Sequence, residues 1–205
     1  MTTWAIIPVK PLHDSKRRLS HLLLADERAE LILTFLDNLL LTLNATPGID
    51  RILVVSGDPL VTTLAEKYGA LVLIEPAPTG LNAAVARGMA EVAEQGASAV
   101  LVLPADLPFV RVEDVEAILR PLTAGRRPLL ALCGDEVDEG TNALLLAPPG
   151  DFTFCYGPGS YGAHLAEAVE RGRATYTVDA SGLRFDLDTE NDWWTYSGLP
   201  VVEGR

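Results

Sequence analysis

Lysine is the scarcest charge in this chain. Its 205 residues hold 16 Lys+Arg against 28 Asp+Glu, a formal charge of −12, and the only lysines are Lys10, Lys16 and Lys67. An acidic balance of this size excludes the broad basic face that a general nucleic-acid binder needs. Cysteine is nearly absent. Cys133 and Cys155 make neither a disulfide framework nor a metal cluster, the usage of a reducing cytosol. Neither lies in a His-paired or electropositive stretch that would mark a nucleophile. Long apolar runs are missing too: the longest, such as Ala143–Pro149, are strand-sized, so no membrane span is expected. No basic segment precedes Trp4-Ala5-Ile6-Ile7, so the N-terminus does not read as a secretory leader. The chain has no long-period repeat and no low-complexity tract. Hydrophobic residues make up 48% and charged residues 21%, which suits one globular domain large enough to need no covalent staple.

What is present is an alternation. Short apolar runs rich in β-branched residues predict strands at Trp4–Pro8, Arg51–Ser56, Ala70–Ile74 and Ala99–Pro104. Between them, amphipathic stretches predict helices over Ala25–Leu43, Pro59–Tyr68 behind an Asp58 cap, Leu81–Gln95, and Val112–Arg120. Pro76-Ala77-Pro78-Thr79-Gly80 reads as a loop. Strand–helix alternation implies a parallel sheet, and continuously apolar strands imply one covered on both faces. After Gly125 the rhythm changes. Strands at Leu129–Leu132 and Asn142–Ala147 flank a polar loop, a helix covers Tyr161–Arg171, a strand lies near Thr175–Val178, and a last helix starts near Glu190. The expectation is a single α/β domain over 1–205, its 1–125 half binding a nucleotide and its 126–205 half building the acceptor side. Open parallel sheets bind ligands beyond the carboxyl ends of their strands.

The chemistry-bearing residues follow strands. After the first comes Lys10-Pro11-Leu12 and then Ser15-Lys16-Arg17-Arg18, a cationic loop without glycine, so neither a dinucleotide fingerprint nor a Walker motif. It is either a solvated basic loop or a side-chain phosphate site. After the fourth comes Pro104-Ala105-Asp106-Leu107-Pro108, where Asp106 is either a turn residue or a carboxylate for Mg²⁺. Asp186-Leu187-Asp188-Thr189 presents the same choice, since Asp188 or Thr189 could cap the last helix. Gly157-Pro158-Gly159-Ser160 opens a helix, as either an anion site or a Gly-rich turn. His164, one turn further, is structural or substrate-facing, and Asn82, beside Gly80, is a weak candidate for a base or ribose contact.

Taken in order, Ile7-Pro8-Val9-Lys10-Pro11-Leu12, Lys16, Arg18-Leu19, Gly80-Leu81-Asn82-Ala83-Ala84, Pro104-Ala105-Asp106-Leu107-Pro108, Gly140-Thr141-Asn142-Ala143-Leu144, Gly157-Pro158-Gly159-Ser160 and Asp186-Leu187-Asp188-Thr189 resemble the CofC/FbiD family. These are guanylyltransferases of coenzyme F-420 (deazaflavin) biosynthesis, and the resemblance runs nearly the whole chain. It implies a nucleotide-diphospho-sugar-transferase-like (GT-A) three-layer fold with a mostly parallel sheet, and a need for GTP and Mg²⁺. The implied reaction is GMP transfer to phosphoenolpyruvate, with 2-phospho-L-lactate or 3-phosphoglycerate as alternative acceptors. More distant alternatives are a molybdopterin- or sugar-type nucleotidyltransferase and a non-catalytic nucleotide-binding domain. The resemblance assigns Asp106 and Asp188 to the metal, with Asp186 in reserve. Lys10, Lys16 and Arg18 go to the triphosphate, Gly80 and Asn82 to the nucleotide, and Thr141, Gly157 and Ser160 to the acceptor. Three features depart from the family pattern: Glu139 stands where a glycine is usual and is expected to point away, Glu190 stands where a proline is usual, and the Trp193-Trp194 pair is read as packing.

Overall fold

The computed structural model describes residues 1–75, 77, 79–124 and 126–198. Pro76 and Pro78 of the expected loop, Gly125 at the expected boundary between halves, and residues 199–205 lie outside the described residues. Seven strands form one sheet: β1 (Thr3–Pro8), β2 (Arg51–Ser56), β3 (Leu71–Ile74), β4 (Ala99–Val102), β5 (Leu129–Gly134), β6 (Thr141–Ala147) and β7 (Ala174–Thr177). Their spatial order is β3-β2-β1-β4-β6-β5-β7. β1 pairs in parallel with both β2 and β4, whereas β6 runs antiparallel to its neighbours β4 and β5. The helices are α1 (Ala25–Ala45), α2 (Pro59–Lys67), α3 (Leu81–Glu94), α4 (Val112–Leu119), α5 (Pro121–Ala124), α6 (Ser160–Glu170), α7 (Ser181–Arg184) and α8 (Glu190–Ser197). No helix among the described residues is long and apolar enough to cross a membrane.

The inner strands are apolar on both faces because each side of the sheet is covered, whereas the edge strand β7 (Ala174–Thr177) alternates in exposure. Alternate residues of a strand face opposite ways. Ala5, Ile7, Val54 and Leu101 pack with α1 residues such as Phe35 and Leu39 and with Ile118 of α4. Trp4, Ile6, Val55 and Val100 pack with Val85, Met89 and Val92 of α3 and with Ala168 of α6. The result is the expected three-layer α/β/α arrangement.

Sequence order along the sheet reverses between β1 and β4: from central β1 the chain steps outward through β2 to the edge strand β3, then crosses back to β4 and begins the other half. The loops leaving these adjacent parallel strands diverge there and open a crevice. They are the basic loop and the Asp106 loop. The basic loop folds into two single 3-10 turns, Leu12–Asp14 and Arg17–Leu19. The short helices α5 and α7 also escape the sequence reading, since four residues carry no measurable period.

One buried carboxylate fixes α7. Asp114 of α4 accepts from Arg111 N at 3.0 Å and from Gly182 N at 3.2 Å. A Cβ on Gly182 would lie 2.1 Å from Asp114 Oδ2 and 2.5 Å from the Phe109 carbonyl, so the α7 backbone approaches too closely for any side chain. α7 leads directly to Asp186 and Asp188. We expect Asp114→Ala to destabilise the protein by about 1–3 kcal/mol through these unsatisfied amides, read from urea unfolding. An unchanged unfolding midpoint would contradict that role.

Candidate active site

The crevice beyond β1 and β4 is a cleft of about 360 Å³. The basic loop forms one wall with Lys10 and Lys16, Pro104 and Asp106 form the floor, and Gly80 with Leu81 at the start of α3 forms the far side. Gly80 has φ +93°, a conformation open to glycine but costly for other residues, and it turns the chain into α3.

Lys16 is the central cation. Its Nζ lies 2.6 Å from Asp106 Oδ2 and 2.8 Å from Asp188 Oδ1, and its side chain is only 3% exposed. Burial works against its charge, but the two carboxylates outweigh that and hold its pKa above the ordinary lysine value. Its backbone is left-handed (φ +49°), which a lysine adopts only when the surroundings impose it. They do so from both sides. Leu12 N donates to Asp58 Oδ2 at 3.1 Å, and Arg28 of α1 donates from Nε to the Ser15 carbonyl at 3.1 Å. Lys16, expected on the triphosphate, is thus an internal counter-ion of the acidic cluster. Lys10 is exposed on the cleft wall, and Arg18 reaches to 3.7 Å from Asp188 Oδ2 at the solvent side.

The structure brings the two acidic motifs together. Leu187 N donates to the Asp106 carbonyl at 3.3 Å, joining their loops. Oxygens of Asp106, Asp186 and Asp188 lie within 4.8 Å of one another. The capping alternatives resolve in favour of a free Asp188 side chain. Thr189 caps α8 by accepting from Asp192 N at 3.3 Å, while Asp192 Oδ2 accepts from Asp188 N at 2.9 Å and from Thr189 N at 2.5 Å. Asp106 caps nothing either, since Asp114 receives the Arg111 amide at the start of α4. Burial first, and the Asp106 charge next, push the Asp186 carboxyl up to about 6, against an Asn142 Nδ2 hydrogen bond at 3.1 Å. For Asp188 burial is the largest single influence and raises its pKa, but Lys16, Arg18 and Lys10 together hold it below the usual carboxylate range.

This donor set fits a small hard dication. Magnesium takes oxygen ligands at about 2.0–2.1 Å, so opposite ligands stand about 4 Å apart, close to the spread of these carboxylate oxygens. Three carboxylates outnumber the one ammonium buried among them, and the Asp106 charge adds to burial in raising the Asp186 pKa.

The residues expected on the acceptor side form a second cluster. Because β6 runs antiparallel, its first residues, not its last, meet this end of the sheet. Asn142 turns to Asp186, and Thr141 turns to α6, where its Oγ1 lies 3.0 Å from His164 Nδ1 and 3.3 Å from Ser160 Oγ. Gly157 (φ +136°) and Gly159 lead into Ser160 at the start of α6. Glu139 is exposed, and its carbonyl accepts from Tyr161 N at 3.2 Å. Asn82 ties the clusters together: its Oδ1 accepts from Tyr156 N at 2.7 Å and its Nδ2 donates to the Tyr156 carbonyl at 3.1 Å. Its amide, expected along the nucleotide, is engaged by main chain.

Sequence reasoning passed over three supporting residues. Arg28 holds the basic loop and Asn142 orients Asp186. Glu75, buried in the cleft wall, accepts from Thr79 Oγ1 at 2.5 Å and lies 3.7 Å from Arg87. Asn142 sits inside a quoted motif and was findable. Arg28 and Glu75 carry no local signal, because their partners are distant or irregular.

His164 makes this second cluster acid-sensitive. Burial pushes its imidazole down to about 4 from an ordinary 6.5, with Glu167 opposing weakly. The unfolded chain therefore takes up this proton first as pH falls. The stability contributed by neutral His164 is complete above pH 6.5 and is lost down to about pH 4, on the order of 3 kcal/mol. Urea midpoints should fall through that window, and the fall should be shallower in His164→Gln. Identical pH profiles for the two proteins would contradict the assignment.

Comparison with known proteins completes the description. The profile of the family described as guanylyl transferase CofC like matches residues 3–195. A phosphoenolpyruvate guanylyltransferase of Rubrobacter xylanophilus is 42% identical over 192 residues, covering 94% of this chain and 92% of that protein. One from Sphaerobacter thermophilus is 38% identical over 202 residues, covering 98% and 96%. Among solved structures, a nucleotide-diphospho-sugar transferase from Desulfovibrio desulfuricans superposes with a TM-score of 0.73 at 17% identity, covering 99% of this chain and 90% of that one. CMP:2-keto-3-deoxy-manno-octonic acid synthetase superposes with a TM-score of 0.66 at 13% identity, covering 97% and 98%. At these identities the likeness is one of fold.

Proposed function

This chain belongs to the CofC-like guanylyl transferase family, and from that premise we propose that it transfers GMP from GTP to phosphoenolpyruvate. The products are enolpyruvoyl-2-diphospho-5′-guanosine and diphosphate, in the biosynthesis of coenzyme F-420. The observation that carries this reading is the juxtaposition of a cation-walled cleft with three convergent carboxylates at the reversal point of the sheet. The two relatives favour phosphoenolpyruvate over 2-phospho-L-lactate or 3-phosphoglycerate.

A phosphate oxygen of the acceptor attacks the α-phosphorus of GTP, a new P–O bond forms, and the bond to the β-phosphate breaks to release diphosphate. That oxygen is already anionic at neutral pH, so no side chain need remove a proton. The work of the protein is placement and charge balance. Gly80 lets the start of α3 come close to the nucleotide, and Asn82 braces that helix start against the Tyr156 main chain. Lys10 and Arg18 face the triphosphate from the loop. Lys16 holds Asp106 and Asp188 in place and offsets part of their charge. Asp106 and Asp188, with Asp186 beside them, would hold Mg²⁺, which when bound supplies a compact positive charge beside the phosphates. Thr141, Gly157 and Ser160 receive the phosphate and carboxylate of the acceptor.

We expect Asp106→Asn to lower guanylyl transfer at least about 100-fold while its thermal unfolding stays cooperative, measured by diphosphate release from GTP and phosphoenolpyruvate. Near-normal turnover would remove Asp106 from the machinery. Ser160→Ala is expected to raise the acceptor KM about tenfold with the GTP KM unchanged. A raised GTP KM instead would exchange the two sides of the site. Mass spectrometry of the product with each of the three acceptors tests the choice of phosphoenolpyruvate, whose guanylylated adduct should dominate.

A further inference from the structure

Thr141 and Ser160 can recognise an anion only if their hydroxyl hydrogens point at it, and the side chain behind them decides that. His164 sits on α6 one turn after Ser160 and is fully buried. Its Nε2 lies 2.9 Å from Cys155 N. A main-chain N–H can only donate, so Nε2 must be the bare, accepting nitrogen. Burial keeps the ring neutral, so its one proton is on Nδ1. Nδ1 lies 3.0 Å from Thr141 Oγ1 and therefore donates to it. Tyr156, edge-on with centroids 4.8 Å apart, and Phe152, 5.9 Å away, flank the ring and limit its rotation.

We propose that His164 is a positioning residue that makes the Thr141 hydroxyl an obligate hydrogen-bond donor to an anionic oxygen of the acceptor substrate. The hydrogen bonds run one way: Cys155 N–H to His164 Nε2, His164 Nδ1–H to Thr141 Oγ1, and Thr141 O–H onward to the ligand. With the opposite tautomer Thr141 would spend its hydrogen on the ring and present only lone pairs, which repel a phosphate or carboxylate. The same arrangement releases Ser160. Its hydroxyl, 3.3 Å from Thr141 Oγ1, can turn to the ligand without leaving that oxygen unpartnered, because His164 still donates there. The proposal rests on the guanylyl transfer described above for the identity of the ligand, but the proton positions do not depend on it.

Two measurements test it. Long-range proton–nitrogen NMR spectra of the ligand-free protein near neutral pH should show His164 as the neutral Nδ1–H tautomer. The Nε2–H tautomer or an imidazolium would overturn the proposal whatever the substrate. In kinetics, His164→Gln places its amide oxygen where Nε2 was and loses the donor to Thr141, whereas His164→Asn can place an N–H where Nδ1 was. His164→Gln should raise the acceptor KM about tenfold with the GTP KM unchanged, and His164→Asn should recover most of that loss. In a Thr141→Val background, His164→Gln should have no further effect on the acceptor KM. Equal acceptor KM values for the Asn and Gln variants, or a Gln effect that persists without the Thr141 hydroxyl, would overturn the proposal. Wild-type protein that releases no diphosphate with any of the three acceptors would overturn the proposed function instead, and the NMR spectrum would then decide the tautomer by itself.

Discussion

A buried ammonium needs carboxylates, and carboxylates drawn partly out of water gain from a cation. Most of the site's architecture follows from that mutual demand at Lys16, Asp106 and Asp188. Removing both carboxylates would leave the Lys16 charge uncompensated out of water, and the basic loop and the Asp186–Asp188 loop are each held by further contacts. Arg28 and Asp58 hold the basic loop. Asn142 orients Asp186, and Asp192 takes up the amides of Asp188 and Thr189 so that the Asp188 side chain stays available. The left-handed backbone of Lys16 is the visible cost of aiming its side chain inward. The remaining loop cations, Lys10, Arg17 and Arg18, stay at the solvent side, where an anion can reach them.

The second organising constraint is the reversed direction of β6. In a wholly parallel sheet the starts of strands lie at the end opposite the ligand crevice. The reversal brings Thr141 and Asn142, at the start of β6, to the same end as the loops of β1 and β4. Successive residues then serve different clusters, since Asn142 faces Asp186 and Thr141 faces His164. Asn82 closes the arrangement by linking the start of α3 to Tyr156, so the two sides of the cleft share one rigid frame. An amide bonded twice to one residue's main chain fixes orientation as well as distance.

Much of this was legible in the residues. The inner strands showed as apolar runs because burial on two faces leaves no polar register to confuse the pattern, as in Ala99–Val102. The acidic motifs were visible because aspartates directly after such runs are conspicuous. What stayed hidden was partner choice. Nothing local says that Lys16 faces inward while Lys10 faces the cleft, or that Asn82 binds a main chain 74 residues away. The capping question at Asp188 was readable in principle: Thr189 followed three residues later by Asp192 forms a capping box, which assigns the cap to Thr189. The left-handed Lys16 and the four-residue α7 were beyond reach, because tertiary contacts impose both.

The Lys16 contacts span 90 residues to Asp106 and 172 residues to Asp188. Synthesis proceeds from the N-terminus, so a nascent chain can complete β1 to β4 and their covering helices long before Asp188 leaves the ribosome. In that interval Lys16 has only one of its two acidic partners. Assembly of the charged centre is thus among the last events of folding, delayed by loop closure over nearly the full chain.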